Sequence, residues 1–148
     1  MNPRSAYREA AVRGASPVRL VVLLYEQMIQ DLSRAIQAVE HHDIEHRTRE
    51  INHALTVCGF LQSNLDMDRG GQVAANLVRF YTTLRSTLLE AHGKASQQIL
   101  SQQISCLLEV RDGWLEVEKQ SVQESLPAFI EPDCAIPPSD RRSQGWSG

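Results

Sequence analysis

The feature that most constrains the fold of this chain is a long central stretch without proline. The six prolines of the sequence are Pro3, Pro17, Pro127, Pro132, Pro137 and Pro138. Between Val18 and Gln120 the chain is instead rich in Leu, Ala, Gln, Glu and Arg, which favour helices, whereas proline interrupts them. This stretch predicts long α-helices, and the proline-rich residues that follow predict a disordered tail over 121–148.

Helical periodicity is clearest in the first part of this stretch, between Leu20 and Val39. At about 100° per residue, the apolar side chains of this segment occupy close to half of the helix circumference. Arg19, Glu26 and Arg34 lie on the opposite side. A surface helix needs an apolar arc of only about 100°. We therefore predict that this helix is covered by neighbours on more than one side.

Local signals give the ends of the first two helices. Ser16 is suited to cap the first helix, and Pro17 to occupy its first position, where proline's missing N–H costs nothing. This helix is expected to end near His41. Asp43 is a plausible N-cap for a second helix, which runs over about 44–65.

Two further helices follow. The segment 66–71 (DMDRGG) predicts a turn, since its two glycines permit positive φ. A third helix is expected over about 72–92, with Gly93 as its C-terminal cap. Ser96 is suited to cap a fourth helix over about 97–120. Four such helices with short connections predict an all-α, antiparallel up-down four-helix bundle over 16–120, preceded by a short N-terminal segment over 1–15.

Composition and charge exclude several classes of protein. The net charge of −3 and the pI of about 5.9 disfavour a basic nucleic-acid binder. The longest apolar run, Leu20 to Tyr25, is too short for a membrane span or a signal peptide, so that cytoplasmic residence without membrane insertion is expected. Three distant cysteines, Cys58, Cys106 and Cys134, argue against a disulfide framework.

Catalytic and metal-binding chemistry find little support in the sequence. A di-iron bundle needs two Glu-x-x-His motifs, and only Glu50 and His53 form one here. The histidines and aspartate between 41 and 46 are read as a solvated loop rather than a metal site. Cys58 and Cys106 lie on apolar helix faces, where they are expected to pack as small hydrophobes. We therefore predict no enzyme, no catalytic residue, no metal and no cofactor.

Partner binding is the better-supported class. The apolar arcs of the first and fourth helices exceed what a small bundle core absorbs. Phe60 lies on the polar side of the second helix, where a large aromatic side chain can mark an exposed contact. A groove between helices that accepts an amphipathic helix would use this surplus.

Several motifs, in order along residues 2 to 119, resemble those of the flagellar secretion chaperones called FliS. The matching residues are Asn2-Pro3 with Tyr7 and Val12; Ala15-Ser16-Pro17 with Leu20 and Leu24-Tyr25; Leu65-Asp66 and Gly70-Gly71 with Ala74, Leu77 and Tyr81; and Ala91, Ser96 and Arg111 to Trp114. Each motif alone is weak, but four in the right order and spacing form a specific pattern.

The resemblance implies a cytoplasmic export chaperone. Such proteins bind the C-terminal helical segment of newly made flagellin, prevent its premature polymerisation, and assist its delivery to the flagellar type III export gate. A co-chaperone is a possible further partner, and a monomer or weak dimer is expected. The alternatives are a self-associating structural or adaptor bundle with a different helical client, and a metal-dependent bundle enzyme. Loss of helix content on dilution would indicate an obligate oligomer. Stoichiometric metal in the purified protein would favour the metal-dependent enzyme.

Two hypotheses about sites accompany this resemblance. Residues 2–14 would cover part of the groove in the free protein, with Tyr7 and Val12 as apolar anchors. The groove itself would be lined by outward members of the broad apolar arcs: Leu20, Leu24, Ile51, Leu55, Leu77, Tyr81 and Leu84.

Overall fold

The computed structural model describes residues 17–122, which form four α-helices joined by short loops. The helices are α1 (Pro17–Glu40), α2 (Ile44–Ser63), α3 (Met67–Lys94) and α4 (Gln97–Val122). Helix α1 packs against α2 and α4, and α3 closes the ring by packing against the same two neighbours. Neighbouring helices run in opposite directions, as the ion pair between Arg19 near the start of α1 and Glu118 near the end of α4 shows for that pair. The predicted all-α, antiparallel four-helix bundle is confirmed.

The core confirms the prediction that the first helix is covered on more than one side. Tyr25, Met28, Leu32 and Ala35 of α1 are completely shielded from solvent between α2 and α4. Fully buried partners from the other three helices complete this layer: Ile51, Val57, Leu84, Leu88, Leu100 and Leu107. Removing such apolar area from water is the main source of stability for a bundle of this size.

The loop between α1 and α2 shows how local hydrogen bonds reverse the chain. The N–H of Asp43 donates to the carbonyl of Ala38 over 2.8 Å, and the N–H of His42 donates to that of Val39 over 3.1 Å. This Schellman arrangement places His42 in the left-handed region, at φ 56°. The Asp43 carboxylate then accepts from the N–H of His46, which confirms the predicted cap of α2.

The connection between α3 and α4 confirms one predicted cap and corrects another. The Ser96 hydroxyl accepts from the N–H of Ile99, as expected of an N-cap. Gly93, predicted to cap α3, instead lies inside the helix. The left-handed position belongs to Ala95, at φ 49° and ψ 46°. The N–H of Ser96 donates to the carbonyl of Ala91, which closes the motif two residues later than predicted.

Helix α3 also begins earlier than predicted. Residues 67–70 form a first helical turn, capped by the Asp66 carboxylate, which accepts from the N–H groups of Asp68 and Arg69. Gly71 then breaks the helical path with φ 53° and ψ −127°. The turn predicted over 66–71 is therefore a capped helical turn with a kink at its second glycine. Helix α2 ends at Ser63, two residues before the predicted boundary.

Three predictions lie outside the described residues: the Ser16 cap, the N-terminal cap segment with Tyr7 and Val12, and the tail over 121–148 beyond the end of α4. Within residues 17–122, no helix is long and apolar enough to cross a membrane.

Candidate functional site: an apolar cavity at one end of the bundle

A cavity of about 430 Å³ opens at the end of the bundle where α1 and α3 begin and α2 ends. We call it the apical cavity. Its apolar walls consist of Leu20, Val21 and Leu24 from α1, Phe60 and Leu61 from the end of α2, Leu65 from the loop that follows, Val73, Ala74, Leu77 and Tyr81 from α3, and Trp114 from α4. Its volume and its largely apolar lining are those of a ligand or peptide site.

The paired glycines at the start of α3 shape the rim of this cavity. Gly71 has a positive φ of 53°, a backbone conformation that residues other than glycine rarely adopt. A Cβ on Gly70 would lie 2.5 Å from the Cβ of Ala74, too close for two carbon atoms. Both positions therefore require glycine for this arrangement, in which Asp66, Arg69 and Gly70 border the cavity.

Four of the seven predicted groove residues line the apical cavity: Leu20, Leu24, Leu77 and Tyr81. The other three lie elsewhere. Ile51 and Leu84 are buried in the core, and Leu55 is half-buried against it. The structure therefore assigns these three side chains to packing within the bundle rather than to the cavity wall.

Phe60 and several other wall residues were not identified as groove residues from periodicity. Phe60 is half-buried and lines the cavity beside Leu61, so it is not the exposed contact that its position on the polar side of α2 predicted. Val21, Val73 and Trp114 also line the cavity without having been assigned to a groove. Periodicity predicts which face of a helix a residue lies on, but not which residues of the other helices lie at the same height along the bundle axis. The predicted antiparallel topology could have given that height, since it brings the starts of α1 and α3 together with the end of α2.

A hydrogen-bonded aromatic cluster lies beside the cavity and joins three helices. The hydroxyl oxygens of Tyr25 and Tyr81 are 2.7 Å apart, and the indole N–H of Trp114 donates to the Tyr25 oxygen over 3.3 Å. The two phenol rings pack edge to face, with centroids 6.3 Å apart. Burial raises the pKa of Tyr25 and of Tyr81 above the ordinary value of a phenol. Both hydroxyls therefore remain protonated at neutral pH.

A second polar cluster joins α1 to α2 and has a structural role. The carboxylate of Asp31, 1% exposed, accepts from Gln27 and Arg34 and lies 2.5 Å from the Nδ1 atom of His53. Glu50 accepts from the Nε atom of Arg34 over 3.1 Å. The residues of the Glu-x-x-His motif, Glu50 and His53, are thus engaged by partners on α1. Over residues 17–122, no group of three or more His, Cys, Asp or Glu side chains is placed to hold a metal ion.

Comparison with known proteins identifies the family. The sequence model of the family described as "Flagellar protein FliS" matches residues 1–121. This chain belongs to the FliS family. The match includes all four helices up to the last residues of α4, and therefore every wall of the apical cavity.

Individual FliS relatives support the same assignment. The chain is 36% identical over 106 residues to the flagellar secretion chaperone FliSB of Pseudomonas aeruginosa, covering 72% of this chain and 84% of that protein. It is 29% identical over 119 residues to the flagellar secretion chaperone FliS of Salmonella typhimurium, covering 79% and 88%. The FliS chaperone of Bacillus subtilis is 26% identical over 122 residues, covering 82% and 87%. These relatives are named as chaperones and not as enzymes.

Proposed function

We propose that this chain is a cytoplasmic export chaperone whose client is the C-terminal helical segment of flagellin. It prevents premature polymerisation of flagellin and assists delivery to the flagellar type III export apparatus. The observation that carries the proposal is the apical cavity, an apolar site that involves all four helices of a FliS-family bundle. An export gate and a co-chaperone are further proposed partners, and the free protein is proposed to be a monomer or weak dimer.

The chemistry of the cavity suits an amphipathic helical client. Its walls are aliphatic and aromatic, whereas its rim carries the opposite charges of Asp66 and Arg69 together with the Asn64 amide. An amphipathic helix buries its apolar face in such a groove and leaves its polar face to the rim and to solvent. Sequestering that apolar face removes the surface through which client molecules would associate with one another. The free energy of ordering the client, roughly 2–5 kcal/mol or more, keeps the complex releasable.

We also propose that residues 2–14 cover part of the cavity in the free protein, with Tyr7 and Val12 as apolar anchors. Helix α1 begins at Pro17, and Pro17 itself lines the cavity, which is what supports a cap formed by the residues before it. A tethered segment competes at an effective concentration of order millimolar. Each buried anchor contributes at most about 1.5–3 kcal/mol, which a long client can exceed. Deleting residues 2–14 should strengthen client binding or promote self-association, and no change in either would refute the cap.

The decisive experiment is a calorimetric titration of the full-length protein with a peptide from the C-terminus of flagellin of the same organism. Sub-micromolar 1:1 binding with a gain in helix content is expected. The test of the cavity is Val73→Asp, because Val73 lies on the cavity wall yet is 36% exposed, so that a carboxylate there is compatible with folding. Burying that charge under the client should weaken binding more than tenfold.

Leu89→Asp is the matched control for this variant. Leu89 is also on α3 and is 57% exposed, but it does not line the cavity, so this change should leave the affinity unaltered. Equal affinities for the two variants would exclude the cavity as the client site. A folded wild-type protein that does not bind the peptide would instead favour the alternative, an adaptor bundle with a different helical client. Loss of flagellin secretion in a deletion strain, restored by wild type but not by Val73→Asp, tests the delivery step.

A further inference from the structure

The aromatic cluster beside the apical cavity contains three hydrogen-bond donors but makes only two hydrogen bonds. Trp114 contributes its indole N–H, and Tyr25 and Tyr81 contribute one O–H each. The contact between Trp114 and the Tyr25 oxygen uses the N–H, and the contact between the two phenols uses a single O–H. Within the described part of the chain, the two phenolic oxygens make no other hydrogen bond. One phenolic proton is therefore left without an acceptor.

The surroundings of the two phenols decide which proton is left over. Tyr25 is completely buried and does not line the cavity, whereas Tyr81, 1% exposed, forms part of the cavity wall. An unmatched O–H costs least where another molecule can reach it. Accepting from Trp114 also polarises the Tyr25 hydroxyl and makes it a better donor. These arguments favour a directed chain in which Trp114 donates to Tyr25 and Tyr25 donates to Tyr81, so that the Tyr81 proton is the one left without an acceptor.

We infer that the Tyr81 hydroxyl is a specific hydrogen-bond donor for an amide carbonyl oxygen of the segment that fills the apical cavity. This inference rests on the proposed function, since it takes that segment to be the flagellin C-terminus. An otherwise apolar site recognises chain length and shape poorly, because apolar contacts are not directional. A single buried donor fixes the register of the client, since only one alignment brings an acceptor to it. Tyr81 thus acts as a specificity-determining residue in contact with the client.

The test compares Tyr81→Phe with Tyr25→Phe in the full-length protein. Both changes remove the hydrogen bond between the phenols, and Tyr25→Phe also removes the acceptor of the Trp114 N–H, so Tyr25→Phe should lower the midpoint of urea unfolding at least as far as Tyr81→Phe does. Only Tyr81→Phe removes the donor to the cavity. Tyr81→Phe should therefore weaken binding of the flagellin C-terminal peptide by about five- to tenfold relative to Tyr25→Phe, the range expected for one buried hydrogen bond.

Peptide variants distinguish the two sources of an amide carbonyl. If the acceptor is an Asn or Gln side chain, one Asn→Ala or Gln→Ala change in the peptide should reproduce the loss, and Tyr81→Phe should then have no further effect. If the acceptor is a main-chain carbonyl, no single such change should do so, and the Tyr81→Phe loss should persist in all of them. Either pattern supports the donor.

Two results would overturn the inference while leaving the proposed function intact. The first is a wild-type protein that binds the peptide and a Tyr81→Phe variant that binds it as tightly as Tyr25→Phe does. The second is tighter binding by Tyr81→Phe, which would mean that the hydroxyl serves the protein's own covering segment or a water molecule. Absence of binding by the wild-type protein would overturn the proposed function and this assignment together.

Discussion

Exchanging glycine and alanine near the end of α3 should stabilise the protein. Gly93 lies within the helix, and a Cβ added there would meet no atom within 4 Å. Alanine is favoured over glycine in a helix interior by about 1 kcal/mol. Ala95 occupies the left-handed region at φ 49°, which costs an L-residue roughly 1–2 kcal/mol. Ala95→Gly relieves this cost. It also makes the unfolded chain more flexible, which opposes folding by roughly 0.5–1 kcal/mol.

The expected increments follow from these terms. Gly93→Ala should raise the free energy of unfolding by about 1 kcal/mol, and Ala95→Gly by about 0.5–1 kcal/mol. The double variant should gain about 1.5–2 kcal/mol if the two local effects add. Urea unfolding followed by far-ultraviolet circular dichroism measures each increment as a shift of the midpoint at constant slope. Ala75→Gly is the matched control, because Ala75 is exposed in the interior of the same helix and should lose about 1 kcal/mol.

The sign of the Gly93→Ala effect decides between the two possible ends of α3. If Gly93 were the left-handed residue, as the sequence pattern predicts, Gly93→Ala would destabilise the protein by about 1 kcal/mol or more. That result would refute the Schellman motif at Ala95. The double variant should also bind the client unchanged, since Gly93 lies roughly 30 Å along the helix from Val73 at about 1.5 Å per residue.

Three further predictions concern the kink, a buried thiol and a buried carboxylate. Gly71→Ala should lower the free energy of unfolding by about 1–3 kcal/mol, measured in urea, because φ 53° with ψ −127° strains any side chain. Burial raises the pKa of the Cys58 thiol to about 12. Cys58 should therefore resist labelling by maleimide in the folded protein at neutral pH and react in denaturant. Mass spectrometry of the tryptic peptide that contains Cys58 measures the labelling. Rapid labelling without denaturant would contradict the burial of this thiol. Asp31→Asn should lower the free energy of unfolding by about 1.5–3 kcal/mol, because it weakens the charge-assisted hydrogen bonds from Arg34 and His53. Thermal or urea unfolding measures this loss. An unchanged midpoint would show that this cluster does not stabilise the bundle.

Features governed by local rules could be predicted from the sequence. The four helices, their order and the caps at Asp43 and Ser96 follow from periodicity and from short-range hydrogen bonding. The C-terminal cap of α3 could not be predicted in the same way. The preference for glycine in the left-handed region points to Gly93, yet the helix continues to Lys94 and Ala95 accepts the strained conformation. Packing of α3 against α2 and α4 can outweigh about 1 kcal/mol of local preference.

The candidate site was only partly predictable for a related reason. The helical wheel of α2 places Phe60 opposite Ile51, on the polar side, and so predicts exposure. That wheel describes one helix alone, and at the bundle end the start of α3 adds further cover. Phe60 therefore shares a cavity with Val73 of the neighbouring helix. Conversely, Ile51 shares the apolar face of α2 but lies too far from the cavity end to line it. The burial of a side chain at a bundle end therefore depends on the neighbouring helix as much as on the helix that carries the side chain.

The cavity itself follows from where small residues occur along α3. Near the middle of α3, the large aliphatic side chains of Leu84 and Leu88 are fully buried between the helices. At the opposite end the corresponding part of α3 carries Gly70 and Ala74, two small residues that line the apical cavity. Because the cavity is open at the bundle end, water can reach its apolar walls, and covering them with another chain would be favourable by roughly 25 cal/mol per Å² of apolar area. Under the proposed function, the apolar side chains of a client would cover these walls. Under that proposal, the small residues at the start of α3 provide the room in which a client can pack.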